Sequence, residues 1–407
     1  MEAINSATNL RKILFVDEPF AESDTLRGVR SGFLWSIVSA HYDADLLLLK
    51  SSIYQEQPVP MHTGFDKLYS LSLGSPNQLY PESYHILAAG QAERFAHTLD
   101  SKRYELIVFA GLRCLPLVRI ARKILPTCKI IVDIEHNFLP ELETAWKANK
   151  SLEALPKLWS YSRQHFWDHY LLKPDSICFF ASYTDARALR QSHKLKPENT
   201  MVFPMPLAEA TEPAIQHNEA NYILFWGDPL NSANLEAGKY LVSELYPRIS
   251  KKLVEKNIRI LLYGPSALES LCGGRIQYAK PNTSVADSGA AEDNAANILP
   301  KLIANAMFIL LPLATPDTER RVLRTAMHNK AVACTSITVQ DMQLPENCYI
   351  GAEHTDELAD KILRLVQHPK DIESAALALH QYCQESFNAE SIKTKILTQI
   401  GTWMEAK

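Results

Sequence analysis

Short apolar runs alternate with helix-patterned segments along almost the whole chain, and this alternation constrains the fold more than any other feature. The runs are KILFVD (12–17), DLLLLK (45–50), KLYSLSL (67–73), YELIVFAG (104–111), KIIVD (129–133), SICFFAS (176–182), MVFPMP (201–206), YILFW (222–226) and IRILLYG (258–264). A strand covered on both faces reads as such a continuous apolar run. Segments such as FLWSIVSAHY, HILAAGQAERFAHT (85–98), PLVRIARKIL, TDARALRQ, LEAGKYLVSELYPRISKKL (235–253) and DELADKILRLVQ fall between or after them at helical spacing. Strand–helix alternation predicts an α/β chain with parallel, doubly wound sheets. The polar stretch AEATEPAIQHNEAN (208–221) interrupts the pattern, which then restarts. We therefore expect two Rossmann-like domains, 1–207 and 222–380, joined by a linker at 208–221. Helices over 381–407 are expected to pack back across the domains. The carboxyl ends of both sheets are expected to line an interdomain cleft, where ligands of such sheets bind.

With 407 residues, 46% of them hydrophobic, the chain has enough apolar surface for two cores. Its net charge of −4 argues against a nucleic-acid partner. The seven cysteines are scattered, with no C-x-x-C pair, and read as reduced core thiols rather than metal ligands. The N-terminal sequence MEAINSATNLRK has no apolar core of a secretory signal, and no run is long enough to cross a bilayer. These features predict a cytoplasmic protein. The segment 151–172 carries Trp159, Tyr161, Phe166, Trp167 and Tyr170. We expect this aromatic stripe in the core, with rest on a membrane surface or lipid-linked substrate as the alternative.

The residues 304–335, ANAMFILLPLATPDTERRVLRTAMHNKAVACT, read as a buried strand, a polar turn, a helix and a second strand. Asp317 or Thr318 can cap the helix. Arg320, Arg321 and Arg324 lie within its first two turns, and a helix N-terminus beside guanidinium groups suits a phosphate. In the first half, Arg27, Gly28 and Arg30 are assigned to the loop after the first strand, facing the ligand crevice. Asp133, Glu135 and His136 form a polar cluster at the end of another strand, where His136 could serve as base or hydroxyl partner.

In this order the segments resemble the GT-B-fold glycosyltransferases, and among them the retaining family-4 type, over nearly the whole chain. ILFWGDPLNSANLEAGKYLVSELYP (223–247) is similar to the opening of that family's C-terminal domain, with Gly227, Asn231 or Asn234, and Pro247 at its marked positions. PLATPDTERRVLRTAMHNKAVACT is similar to the family's donor segment, roughly P-x-x-x-G-x-G-x-x-x-K-x-x-E-A. Gly264, the S-x-x-D of Ser182 and Asp185, and the Pro204–Pro206 step agree more loosely. Three departures stand out: Pro316 and Asp317 occupy the glycine turn, Arg324 stands where the family has glutamate, and the Glu-x7-Glu pair is absent. Arg321 matches the family's lysine and keeps its charge.

The resemblance implies sugar transfer from a nucleotide-sugar substrate to a glycan, lipid-linked or protein acceptor, without metal or other cofactor, in polysaccharide or glycoconjugate synthesis. Donor contacts are then expected at Gly227, Asn231, Thr318, Arg320, Arg321 and Arg324. Acceptor contacts are expected at Arg27 and Arg30, with His136 and Asp133 in catalysis. Peripheral attachment at the inner membrane face belongs to the same expectation. The alternative is a non-catalytic GT-B-fold subunit that binds a glycan, a protein or an active transferase. A sugar-nucleotide epimerase of this fold is a third reading, though its carboxylate and histidine set is not identifiable.

Overall fold

A computed structural model describes residues 11–18, 26–50, 64–74, 85–135, 155–206, 221–227, 232–279, 298–315 and 318–405. The chain divides into two compact units, 1–204 with 392–407, and 205–391.

Unit 1 is built on seven strands: β1 (Lys12–Asp17), β2 (Asp43–Lys50), β3 (Leu68–Ser72), β4 (Leu106–Ala110), β5 (Lys129–Ile134), β6 (Ile177–Phe180) and β7 (Thr200–Val202). They form one parallel sheet in the order β3-β2-β1-β4-β5-β6-β7. Its helices are α1 (Leu26–His41), α2 (Gln91–Asp100), α3 (Leu115–Ile124), α4 (Leu155–Leu171) and α5 (Tyr183–His193). One face of the sheet packs on α2 to α5 through Phe95, Leu99, Val118, Leu171 and Leu189. Parallel neighbours need a crossover, and both faces are covered as such sheets require.

Unit 2 repeats the plan. Its strands are β8 (Tyr222–Trp226), β9 (Arg259–Tyr263), β10 (Ile276–Tyr278), β11 (Ile309–Leu311), β12 (Val332–Thr335) and β13 (Ile350–Ala352). They lie parallel in the order β10-β9-β8-β11-β12-β13. Its helices are α6 (Ser232–Tyr240), α7 (Tyr246–Glu255), α8 (Ile298–Asn305), α9 (Thr318–Met327), α10 (Thr355–Gln367) and α11 (Pro369–Ser386). The single helix expected before residue 253 is two, α6 and α7, joined by a π-helical turn at Leu241–Leu245. Pro247 at the start of α7 accounts for it, because a proline ring clashes with the carbonyl four residues earlier and the helix widens there.

The closing helix α12 (Ala389–Glu405) returns to unit 1. Ile392, Ile396, Ile400 and Trp403 fill the second sheet face together with Leu34, Trp35 and Val38 of α1. The Trp403 ring lies 5.3 Å from that of Phe179, and its indole N–H donates to the Glu198 carbonyl at 2.8 Å.

Three expectations need correction. Arg27, Gly28 and Arg30 belong to α1, not to a loop. His85 precedes α2 rather than opening it. The stripe of α4 is not core at Trp159, Phe166 and Tyr170, which are 65%, 63% and 42% exposed. The buried face of that helix is made instead by Gln164, Asp168 and Leu171, and Gln164 donates to Asp168 at 2.8 Å.

Candidate donor-phosphate site

In unit 2 the strand order reverses between β8 and β11, the switch point where open α/β sheets bind ligands at their carboxyl ends. Gly227 leaves β8 there, and Thr315 follows β11. A Cβ on Gly227 would come within 2.3 Å of the Asn234 side chain, so only glycine fits. Asn234 is fully buried and its Oδ1 accepts from Arg321 Nη1 at 3.1 Å. The same nitrogen donates to Thr315 Oγ1 at 3.2 Å. Thr315 N–H in turn donates to Thr318 Oγ1 at 2.8 Å, and Thr318 N–H to the Thr315 carbonyl at 3.0 Å. Arg321 thus ties α6, the turn after β11 and α9 together.

Arg321 has no exposed surface, and its guanidinium lies 5.1 Å from the Phe225 ring centre and 5.7 Å from that of Trp226. Its place is the interior, which differs from the surface phosphate contact expected of it. Arg324, one turn later, is half-buried with its guanidinium 5.9 Å from the Trp226 ring centre, and Arg320 is also half-buried. In the first turn of α9, Glu319 accepts from the Met205 N–H at 2.7 Å. Asn231 lies outside the described residues.

The carboxyl end of the unit 1 sheet holds a second polar cluster. Arg30 Nε reaches both Asp133 oxygens at 3.0 Å, and its Nη2 reaches Oδ1 at 2.6 Å. Its Nη1 donates to the Phe203 carbonyl at 2.5 Å, while the guanidinium sits 3.5 Å above the Phe203 ring centre. Arg30 is 1% exposed and Asp133 2%. Burial pushes the Asp133 carboxyl above its usual range, and Arg30 opposes that shift. The two residues expected in separate acceptor and catalytic roles are therefore partners in one buried ion pair. His136 and the Arg27 side chain lie outside the described residues.

Sequence reasoning missed several members of this cluster. Ser31 donates to Asp17 at the end of β1, and His85 Nε2 pairs with Glu18. The His85 N–H donates to the Arg113 carbonyl at 2.8 Å. Glu18 was findable, since it directly follows a strand whose end faces the crevice. The Ser182 and Asp185 match resolves as a helix cap, the Asp185 N–H donating to Ser182 Oγ at 3.1 Å. At the opposite, amino end of the sheet, Asp43, Asp45 and Asp66 surround Lys12 Nζ at 3.1, 3.5 and 3.3 Å. The ammonium stands where a cation would otherwise sit.

No protein-family model matches the sequence. No curated protein matches it either. Solved structures do. HepE of Anabaena, in complex with UDP and glucose, matches at a TM-score of 0.61 and 12% identity, over 96% of this chain and 100% of that one. A glycosyltransferase from Rickettsia africae matches at 0.63 and 12%, over 98% and 100%. WaaG, a glycosyltransferase of lipopolysaccharide biosynthesis, matches at 0.59 and 12%, over 94% and 98%. The fold, two Rossmann-like units of seven and six parallel strands, is that of the GT-B glycosyltransferases.

Proposed function

We propose that this chain is a glycosyltransferase that takes a sugar from a nucleoside-diphosphate donor bound at the switch point of unit 2. One observation carries the reading. The N-terminal turn of α9 and the arginines at 320 and 324 lie at that switch point, held by the Gly227–Asn234–Arg321–Thr315 network. A departing diphosphate needs neutralising, and backbone N–H groups with guanidinium groups can do this without a metal. Thr318 and Arg320 contact the phosphates, Arg324 adds charge beside Trp226, and Arg321 positions the turn. The UDP complex of the Anabaena neighbour supports uridine as the first base to try. The acceptor is a glycan or lipid-linked sugar read by unit 1, in polysaccharide or glycoconjugate synthesis at the cytoplasmic side.

Calorimetric titration with UDP, GDP, ADP and CDP at about millimolar concentration tests this, since weaker binding would not support turnover. Heat with one of them is expected, followed by release of that nucleotide from its sugar conjugate when acceptor is supplied. No heat with any of the four defeats the proposal. Arg324, at the place where the resemblance expects a carboxylate, favours a second reading, a non-catalytic subunit. Binding without turnover across donor sugars would select it.

A further inference from the structure

Helix α4 turns its aromatic side outward. Trp159, Phe166 and Tyr170 are 65%, 63% and 42% exposed, while the inward side carries the hydrogen-bonded Gln164 and Asp168. A helix that only covered a sheet would bury the rings and expose the amide and carboxylate. Positions 159, 163, 166, 170 and 173 follow one another at steps of four and three, so they line one face. That face reads Trp, Arg, Phe, Tyr, Lys. It runs about 20 Å along the helix axis and onto Lys173 just beyond it. The Phe166 and Tyr170 rings lie nearly parallel, 4° apart with ring centres at 6.3 Å.

Both charges that lie over the Tyr170 ring are positive. Arg119 of α3 holds its guanidinium 5.4 Å from the Tyr170 ring centre, and Lys173 its ammonium at 5.0 Å. Lys123 of α3 is exposed as well. Helix α3 contains no acidic residue, and the sole acid of α4, Asp168, is buried. Rings with an apolar body and polar edge, flanked by long cationic side chains, suit the boundary between headgroups and acyl chains. The cations then meet anionic headgroups, each worth about 1 kcal/mol near such a surface.

We propose that the exposed face of α4, with Arg119 and Lys123 of α3, docks this protein on an anionic phospholipid bilayer. Trp159 and Phe166 enter the interface, Tyr170 lies at headgroup depth, and Arg119 and Lys173 meet lipid phosphates. This goes beyond the transferase reading and does not depend on it, because the contact involves no nucleotide.

Co-sedimentation of the full chain with large unilamellar vesicles tests it without donor or acceptor. The chain is expected to pellet with phosphatidylcholine vesicles containing about a third phosphatidylglycerol and not with pure phosphatidylcholine, and to be released by high salt. Trp159→Ala with Phe166→Ala should lower partitioning about tenfold, in line with the apolar surface withdrawn. Arg119→Glu with Lys173→Glu should abolish the preference for anionic vesicles. Both variants change surface residues, so their urea midpoints should match the parent. No binding to anionic vesicles, or equal binding by parent and variants, overturns the proposal. So does concentration-dependent self-association that the Trp159→Ala, Phe166→Ala variant removes, since the face would then belong to a second copy.

Discussion

The Asn234 side chain occupies the space that a Cβ on Gly227 would need, with its Cγ 2.3 Å from that point. Both residues are at the switch point of unit 2, so the fit between them sets how closely α6 approaches the end of β8. Gly227→Ala should destabilise unit 2 by about 1–3 kcal/mol through overpacking. Asn234→Ala in the same chain should recover part of the loss. Urea unfolding of the four variants of the cycle reads the coupling, and simple additivity would show that the two side chains do not compete.

Arg321 is expected to act on stability before it acts on ligand. Arg321→Ala leaves Asn234 and Thr315 without their shared donor and opens a cavity beneath Phe225, a loss of about 2–4 kcal/mol. Arg321→Met refills much of that volume and should recover stability without restoring the turn. Thermal unfolding separates the two. By contrast, Arg324→Ala should leave the unfolding midpoint unchanged and weaken nucleoside-diphosphate binding by about 1.5–3 kcal/mol, read by calorimetry.

For Arg30 and Asp133 the prediction concerns order of removal. Each forms most of the other's polar environment inside unit 1. Asp133→Asn or Arg30→Met alone should cost about 3–5 kcal/mol, because each strands a buried charge or its partner. Arg30→Met with Asp133→Leu should cost less than the sum of the two. Denaturation in urea measures this, and full additivity would mean that the pair contributes nothing as a pair.

His193 gives a pH signature. Burial, then the neighbouring His169 and His165, hold its imidazole down at about 4, against an ordinary value of 6.5. Above pH 6.5 neither folded nor unfolded chain is protonated there, and the group is silent. As pH falls from 6.5 toward 4 the unfolded chain takes up a proton that the folded chain refuses, so stability is lost, by about 3 kcal/mol in all. His193→Gln should flatten the dependence of the urea midpoint on pH between 7 and 4.5, compared with the parent. An identical slope in both proteins would assign the acid loss elsewhere.

Much of the fold was legible because strand and helix advertise themselves by period. KILFVD and YILFW are almost wholly apolar and became buried interior strands, whereas the alternating KLYSLSL became the half-exposed edge strand β3. The polar site was less legible, for a physical reason. Sequence shows that Arg321 is a cation but not which side of α9 faces the sheet, and that side decides between ligand contact and tie-rod. Arg30 and Asp133 are 103 positions apart, a distance at which nothing local announces an ion pair. The aromatic stripe of α4 misled for the opposite reason. Its period of four and three is that of a buried face, and only Gln164 and Asp168, placed on the other side, hinted that the helix was turned about.

Helix α12 has a consequence in time. A ribosome delivers the chain from its N-terminus, yet the sheet face of unit 1 beneath Phe179 is covered by Ile392, Ile396, Ile400 and Trp403. Every residue of 205–391 is synthesised before those four. The unit begun first is thus completed only after 205–391 has been made, and a nascent chain carries an open apolar sheet face until α12 has been synthesised. Chaperone dependence during synthesis should concentrate in that interval.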